Sequence, residues 1–444
     1  MTDSINAYGL PGLRRRSVLK GMAGLAGTAL LPAAAGRAFA ADSIIFWDYK
    51  GEPGSMVNTY YLAAAERFKA ASGIDVKVEY KSAAIIEQSV AAAANAGTGV
   101  DSMCWWSGPT VRNQASLGNV IPLDDKIPAE TLDNKVGMTS LTYEGRTYAF
   151  PRTIGPYFFI YNRELLKKAG VDPDVFPAAD QDPVEWSVFL DACDKVKASG
   201  VAPLMFANKE GYHNEWYFYN FIGMGFDTIE EIAEIGSGKS TWKNEAIYQA
   251  LAAYKELYDR KYFVEGGEVI PLEQDAVQMA RGQAAMSVYY NQAGGASAAI
   301  ADTFGAGSLG FSRVPAYRRD KPFFNHTTME PDAVFVTAFS SNEEAAVKWV
   351  NFLASVGEVN EMTKATQLAP ADKRFDQSLI DSPELRKLYK GATEKGYVYP
   401  GTLATSAQYN ALLQNGILYL TGKWSAEQLC DSFDKADKEY LDSL

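Results

Sequence analysis

The chain has 444 residues, 47% of them hydrophobic and 22% charged, with a formal net charge of −12 at pH 7. Such an acidic surface speaks against nucleic acid and anionic lipid as partners. The three cysteines, Cys104, Cys193 and Cys430, are too few for a disulfide framework and read as buried free thiols.

In chain order, the basic run RRRSVLK (14–20) precedes a weakly apolar stretch too short to span a bilayer, and Ala38-Phe39-Ala40 fits a small-x-small cleavage pattern. Residues 1–40 therefore read as a signal peptide. The pair Arg15-Arg16 followed by Ser17, Val18 and Leu19 is similar to the twin-arginine type, so the expected partner in export is the twin-arginine machinery and the expected compartment the periplasm. SIIFW (43–47) reads as a strand, 58–73 as a helix stopped by Gly73, and 74–80 as an alternating strand. An alanine-rich helix (83–96) and the strand VDSMCWW (100–106) follow. Later, YFFIY (157–161) reads as a buried strand, RELLKKAG (163–170) as a helix, and 183–200 as a helix with Pro183 in its first turn. The last helix starts at Ser425, with Gln428 completing a capping box. This alternation predicts an α/β protein with two lobes, each an open sheet flanked by helices.

Few motifs point to chemistry. GSGKS (236–240) resembles a phosphate-binding loop, but Ala233 stands where the motif needs its first glycine, and Glu230, Glu231 and Glu234 crowd the approach; it reads as a surface turn. There are only two histidines, His213 and His326, with no G-x-S-x-G elbow and no metal-ligand spacing. Two-carboxylate glycosidase chemistry needs only acids, and 54 are present, although no spacing marks a pair. Tyr289-Tyr290 could offer phenolate oxygens to a ferric ion, but near the mature N-terminus only Asp48 and Glu52 are at hand, with no histidine. Strand alternation explains the tyrosine pair by placing one in the core and one toward a cleft. No cofactor or metal is expected.

FANKEGYHNEWYFYN (206–220) interleaves aromatics with amides and acids. A sugar ring has an apolar C–H face and a belt of hydroxyls, which aromatic faces and Asp, Glu, Asn or Arg suit respectively. DSMCWWSGP (101–109) ends a strand on Trp105 and Trp106. Alternation sends them to opposite faces, and Trp106, nearer the break at the strand's carboxyl end, is expected to face a cleft while Trp105 enters the core.

Taken in order, IIFWDY, AERFKAASGIDVKVEY, AAAANAGTGVDSMCWW, LGNVIPLDD, YEGRTYAFP, YFFIYNRELLKKAGV, MARGQAAMSVYY, SSNEEAAVKWVNFLAS and TGKWSAEQLCDSFDKA resemble the extracellular solute-binding proteins of ABC importers, in the branch containing the maltose-binding protein. The resemblance implies a two-lobed periplasmic-binding-protein fold whose cleft closes by hinge motion. Its lobes would comprise 41–152 with 315–369 and 153–314 with 370–444. It places the crossings near Arg152–Pro156, Val314-Pro315 and Leu368–Ala371. It implies a non-enzymatic, monomeric protein that holds a small-molecule solute, a sugar or polyol, and hands it to membrane permease subunits. Trp47, Trp106, Tyr212 and Tyr409 would stack on the sugar; Asp48, Arg152, Glu210, Asn214 and Asn291 would hydrogen-bond it; Tyr290 stands near the position of a family tryptophan. The chain departs from the pattern at Gly155, where a relative has glutamate. A cationic solute such as a polyamine, held by Asp48, Glu210, Glu330 and Asp332, is the alternative, and an exported glycosidase the second.

Overall fold

The structure, a computed structural model, describes residues 43–82, 85–290, 300–305 and 307–443. Residues 1–40, where a signal peptide is expected, and Asn291 lie outside the described residues. From Ser43 the chain opens as the sequence predicts. β1 (Ser43–Asp48) leads to the helix Met56–Ser72, which Ser55 caps and Gly73 ends in the left-handed region, and then to β2 (Asp75–Tyr80). The helix Ile86–Ala96 and β3 (Ser102–Trp106) complete the unit. After a small hairpin of β4 (Thr142–Tyr143) and β5 (Arg146–Thr147) comes β6 (Phe150–Asn162), thirteen residues long and buried throughout. β7 (Ala202–Leu204), β8 (Ala284–Tyr290), β9 (Leu309–Ser312), β10 (Thr327–Val336) and β11 (Gly396–Val398) follow.

The strands other than the hairpin form one nine-stranded sheet among the described residues, in the order β2-β1-β3-β10-β6-β8-β7, with β11 beside β10 and β9 beside β6. β1 pairs in parallel with β2 and β3, whereas β10 runs antiparallel to β3 and β6. Two hydrophobic cores sit on this sheet. One gathers Phe46, Tyr61, Phe68, Met103, Trp105, Phe150, Val334 and Trp349; the other gathers Phe158, Phe159, Phe189, Phe206, Tyr217, Phe218, Trp242, Met286 and Phe433.

The long strands β6 and β10 belong to both cores. β6 passes from Phe150 in the first core to Ile154 in the second; β10 passes from Met329 in the second to Ala333 in the first, with a register shift between Pro331 and Ala333. A third strap runs at Ala369–Asp372, where Ala369 accepts from the Ile154 amide and Ala371 from the Val136 amide. Ala316 and Met329 pack in the second core, although residues from 315 onward are expected with the first lobe. The resemblance puts a crossing near Val314-Pro315; Ala316 packs in the second core, and β10 carries residues of both cores.

One local reading shifts. The helix expected over 183–200 is Trp186–Ala198, and Pro183 stands before it. The aromatic stretch 206–220 enters a helix, Tyr212–Gly223, buried from His213 onward. Its Tyr217, Phe218, Tyr219 and Phe221 are core, because a helix inserted between two layers presents apolar side chains all round. The capping box at Ser425 and Gln428 forms as expected, and the three cysteines are free and buried.

Candidate functional site

The carboxyl ends of β1 and β3 meet β6 and β10 where the two cores join. Asp48 ends β1; Trp106 ends β3 and lies opposite Asp332 of β10 in the antiparallel register. Arg152 and Thr153 lie on β6 at the same level. The register therefore brings four elements to one point, and a charged network fills it. The Arg152 guanidinium donates to Asp48 at 3.2 Å, to Asp332 at 3.0 Å and to the Tyr61 hydroxyl at 2.6 Å. Asp332 also accepts from Lys50 at 2.7 and 3.0 Å, from Tyr49 at 2.5 Å and from Thr153 at 2.7 Å. Burial works against ionisation of Asp332, but Lys50 and Arg152 outweigh it and hold the carboxyl well below the usual range. Asp48 is raised by burial, with Arg152 opposing. Two carboxylates and two cations thus balance.

Across the junction the second core presents a different surface. Tyr157 stacks on Tyr399 with centroids 4.0 Å apart and lies 4.8 Å from Tyr290 and 6.2 Å from Trp216. Tyr409 lies parallel to Tyr219 at 6.3 Å. Two carboxyl groups sit among these rings. Glu215 lies on the buried helix, where the Tyr399, Tyr409 and Tyr157 hydroxyls favour its ionised form against burial; Tyr399 also donates to its backbone carbonyl at 2.8 Å. Glu330 of β10 accepts a long hydrogen bond from Tyr157, 3.4 Å. Burial pushes Glu215 well above the usual range, and the charge of Glu330 adds to that. Burial likewise pushes Glu330 up to about 7, against the pull of Lys50. Trp106, Tyr212, Tyr290, Glu330 and Tyr409 are half-buried, whereas Tyr157, Tyr399 and Glu215 are buried.

Gly155 explains a departure noted in the sequence. A Cβ there would meet the Tyr290 ring at 2.2 Å, so the bare backbone is what lets Tyr290 lie across β6. Gly108, with φ of +60°, serves a second close approach: a Cβ would meet Thr402 at 2.4 Å. Beside it Arg112 donates to the carbonyls of Thr402 and Ala404, which ties the first core's edge to the second.

Of the residues singled out from the sequence, Asp48, Arg152, Trp106, Tyr290, Tyr212 and Tyr409 come to this junction. Trp105 is in the first core, 2% exposed, and Trp106 stands edge-on to Tyr49 at 5.5 Å. Trp47 points to the other face of β1, where it donates to Glu79 at 3.1 Å beneath the Lys81 ammonium. Glu210 is exposed and accepts from the Leu272 amide. Asn214 is fully buried against Gly416 and accepts from Tyr254. Tyr49, Lys50, Thr153, Tyr157, Glu215 and Tyr399 were not singled out. Tyr49 and Lys50 follow Asp48 directly, so position past a strand's carboxyl end was an available signal. Glu215, an acid between buried aromatics, was another. Nothing local marks Tyr157 or Tyr399, which are separated by more than two hundred residues. Among the described residues no group of histidine, cysteine and acid side chains is placed to hold a metal, and no helix is long and apolar enough to cross a membrane.

The family model for bacterial extracellular solute-binding proteins matches residues 63–380. The chain belongs to that family. None of the curated proteins compared with this solute-binding protein matches it significantly. Solved structures with the same fold include the GacH receptor of Streptomyces glaucescens, known unliganded and in complex with acarbose, at 22% identity and a TM-score of 0.69 over 90% of this chain and 99% of that one. They also include a chitin oligosaccharide binding protein (18% identity, TM-score 0.72, 89% and 98% covered). A third is the cyclic alpha-maltosyl-1,6-maltose binding protein of Arthrobacter globiformis (18%, 0.70, 90% and 99%). The solute-binding protein thus has the two-lobed α/β fold that its strand order and twin cores describe.

Proposed function

We propose that this protein captures a sugar between its two cores, releases it unchanged to the membrane subunits of an ABC importer, and works as a monomer in the periplasm after twin-arginine export. The observation that carries this reading is the junction itself. Half-buried aromatic faces, Trp106, Tyr212, Tyr290 and Tyr409, stand around buried acids and an arginine at the carboxyl ends of the strands. Open α/β sheets bind ligands at that end. In this reading the aromatics stack on the sugar's apolar face and Glu215 and Glu330 accept from its hydroxyls, while the Asp48–Arg152–Asp332 network sets the floor. The carbohydrates named for the structural neighbours, acarbose, chitin oligosaccharide and cyclic maltosyl-maltose, support it. The lobes in this proposal meet at Arg152 on β6, at Pro331 on β10 and at the strap Ala369–Asp372, and they close by bending there.

A thermal-shift and calorimetric screen of the mature chain across mono- and oligosaccharides, polyols, polyamines and ferric iron tests the proposal. A sugar at 100 times its dissociation constant should stabilise the protein by about 2.7 kcal/mol. Response to none of the sugars overturns the reading; turnover of any of them in the same tubes would favour an exported glycosidase.

A further inference from the structure

The junction holds four acids and two cations, and the balance is uneven. Asp48 and Asp332 are matched by Arg152 and Lys50 in direct contact. Glu215 and Glu330 are matched by nothing: among the described residues neither makes an ion pair, and Lys50, whose charge Glu330 feels, gives its hydrogen bonds to Asp332. The undescribed stretch 291–299, which follows Tyr290, contains no charged residue, so it cannot supply the missing cation. Glu215 is 2% exposed. What surrounds the pair is tyrosine: Tyr157, Tyr212, Tyr290 and Tyr409 each feel both carboxylates, and Tyr399 faces Glu215.

A buried and a half-buried carboxylate without a counter-charge are costly, and a neutral guest would leave them so unless one took up a proton. A guest bearing a positive charge removes the conflict directly, and aromatic faces around carboxylates are the environment that favours an ammonium. We infer that the solute is a sugar carrying a protonated amine, seated with that amine between Glu215 and Glu330 and its ring against Tyr212, Tyr290 and Tyr409. This rests on the sugar-binding reading above and adds the charge. One localised positive centre fits better than the spaced charges of a polyamine, because the remaining acids, Asp48 and Asp332, are already paired.

Calorimetry near neutral pH with the mature chain tests it, using glucosamine and its short oligomers, the same sugars N-acetylated, neutral malto- and cello-oligosaccharides, and spermidine. The amine-bearing sugars should bind at least about tenfold more tightly than their N-acetylated forms. Glu215→Gln and Glu330→Gln should each abolish that preference. Glu330 is half-buried, so its variant folds even where the change at buried Glu215 proves disruptive. Equal or tighter binding of the neutral sugars by the unmodified protein overturns the inference and leaves sugar binding standing. Retention of the amine preference in Glu330→Gln also overturns it. Binding of spermidine with no response to any sugar overturns both this inference and the reading beneath it.

Discussion

The two sides of the junction handle buried charge in opposite ways. On the side of the first core both junction acids, Asp48 and Asp332, have a cation in contact, and Asp332 alone takes up Lys50, Arg152, Tyr49 and Thr153. On the side of the second core Glu215 and Glu330 make no ion pair among the described residues, and tyrosine hydroxyls stand beside them. A compensated network can be dry and still favour the folded state; an uncompensated pair opposes folding until something else supplies the charge or a proton. The first side therefore behaves as structure, joining β1, β6 and β10, and the second as a place kept ready for a guest.

The sharpest way to break this contrast is Arg152→Met. Removing the guanidinium leaves Asp48 and Asp332 buried with only Lys50 for both, and should lower stability by about 3–5 kcal/mol in urea denaturation. A loss below about 1 kcal/mol would show that the network is no more structural than its counterpart. Because the folded pKa of Asp332 is depressed, its contribution is complete above the ordinary carboxylate range and should fade as pH falls below it.

Trp105→Ala comes next. It truncates a core aromatic of the first side and should cost about 3–4 kcal/mol with little effect on whatever affinity remains. The result that contradicts the assignment is a stable variant that has lost its ligand.

Glu330→Gln should act in the other direction. A carboxyl whose folded pKa is raised to about 7 holds its proton in the folded state after the unfolded chain has released it. Stability therefore falls as pH rises from the ordinary glutamate range to about 7 and stays lower above that. The glutamine variant lacks this loss, so without ligand it should be more stable than the parent by on the order of 2 kcal/mol at pH 8 and equal to it at pH 4. Melting curves at the two pH values measure the difference, and a variant less stable at pH 8 would place Glu330 among the compensated acids.

The smallest effect is expected from Trp106→Ala, which should weaken solute binding by about 1–2 kcal/mol, as loss of one stacked ring does. Its folding stability should change far less than that of Trp105→Ala, and the reverse pattern would mean that the two indoles have exchanged roles.

Much of the scaffold was legible in the chain alone, because it follows from local rules. The alternation at 74–80, the stop at Gly73 and the capping box at Ser425 are consequences of period, φ preference and hydrogen-bonding reach within a few residues. Position at a strand's carboxyl end likewise marked Trp106, and the family resemblance marked Asp48. Tertiary structure decided what depends on partners far away in sequence. That β10 carries Met329 of the second core and Ala333 of the first is set by packing against partners far away in sequence. The burial of 213–223 is set by the layers packed on both sides of that helix. The pairing of Asp48 with Arg152 and the isolation of Glu215 from any cation come from strand register over separations of a hundred residues and more. Charge compensation is a property of three-dimensional neighbourhood: composition records how many acids and bases there are, and only the fold determines which acids are left without a base.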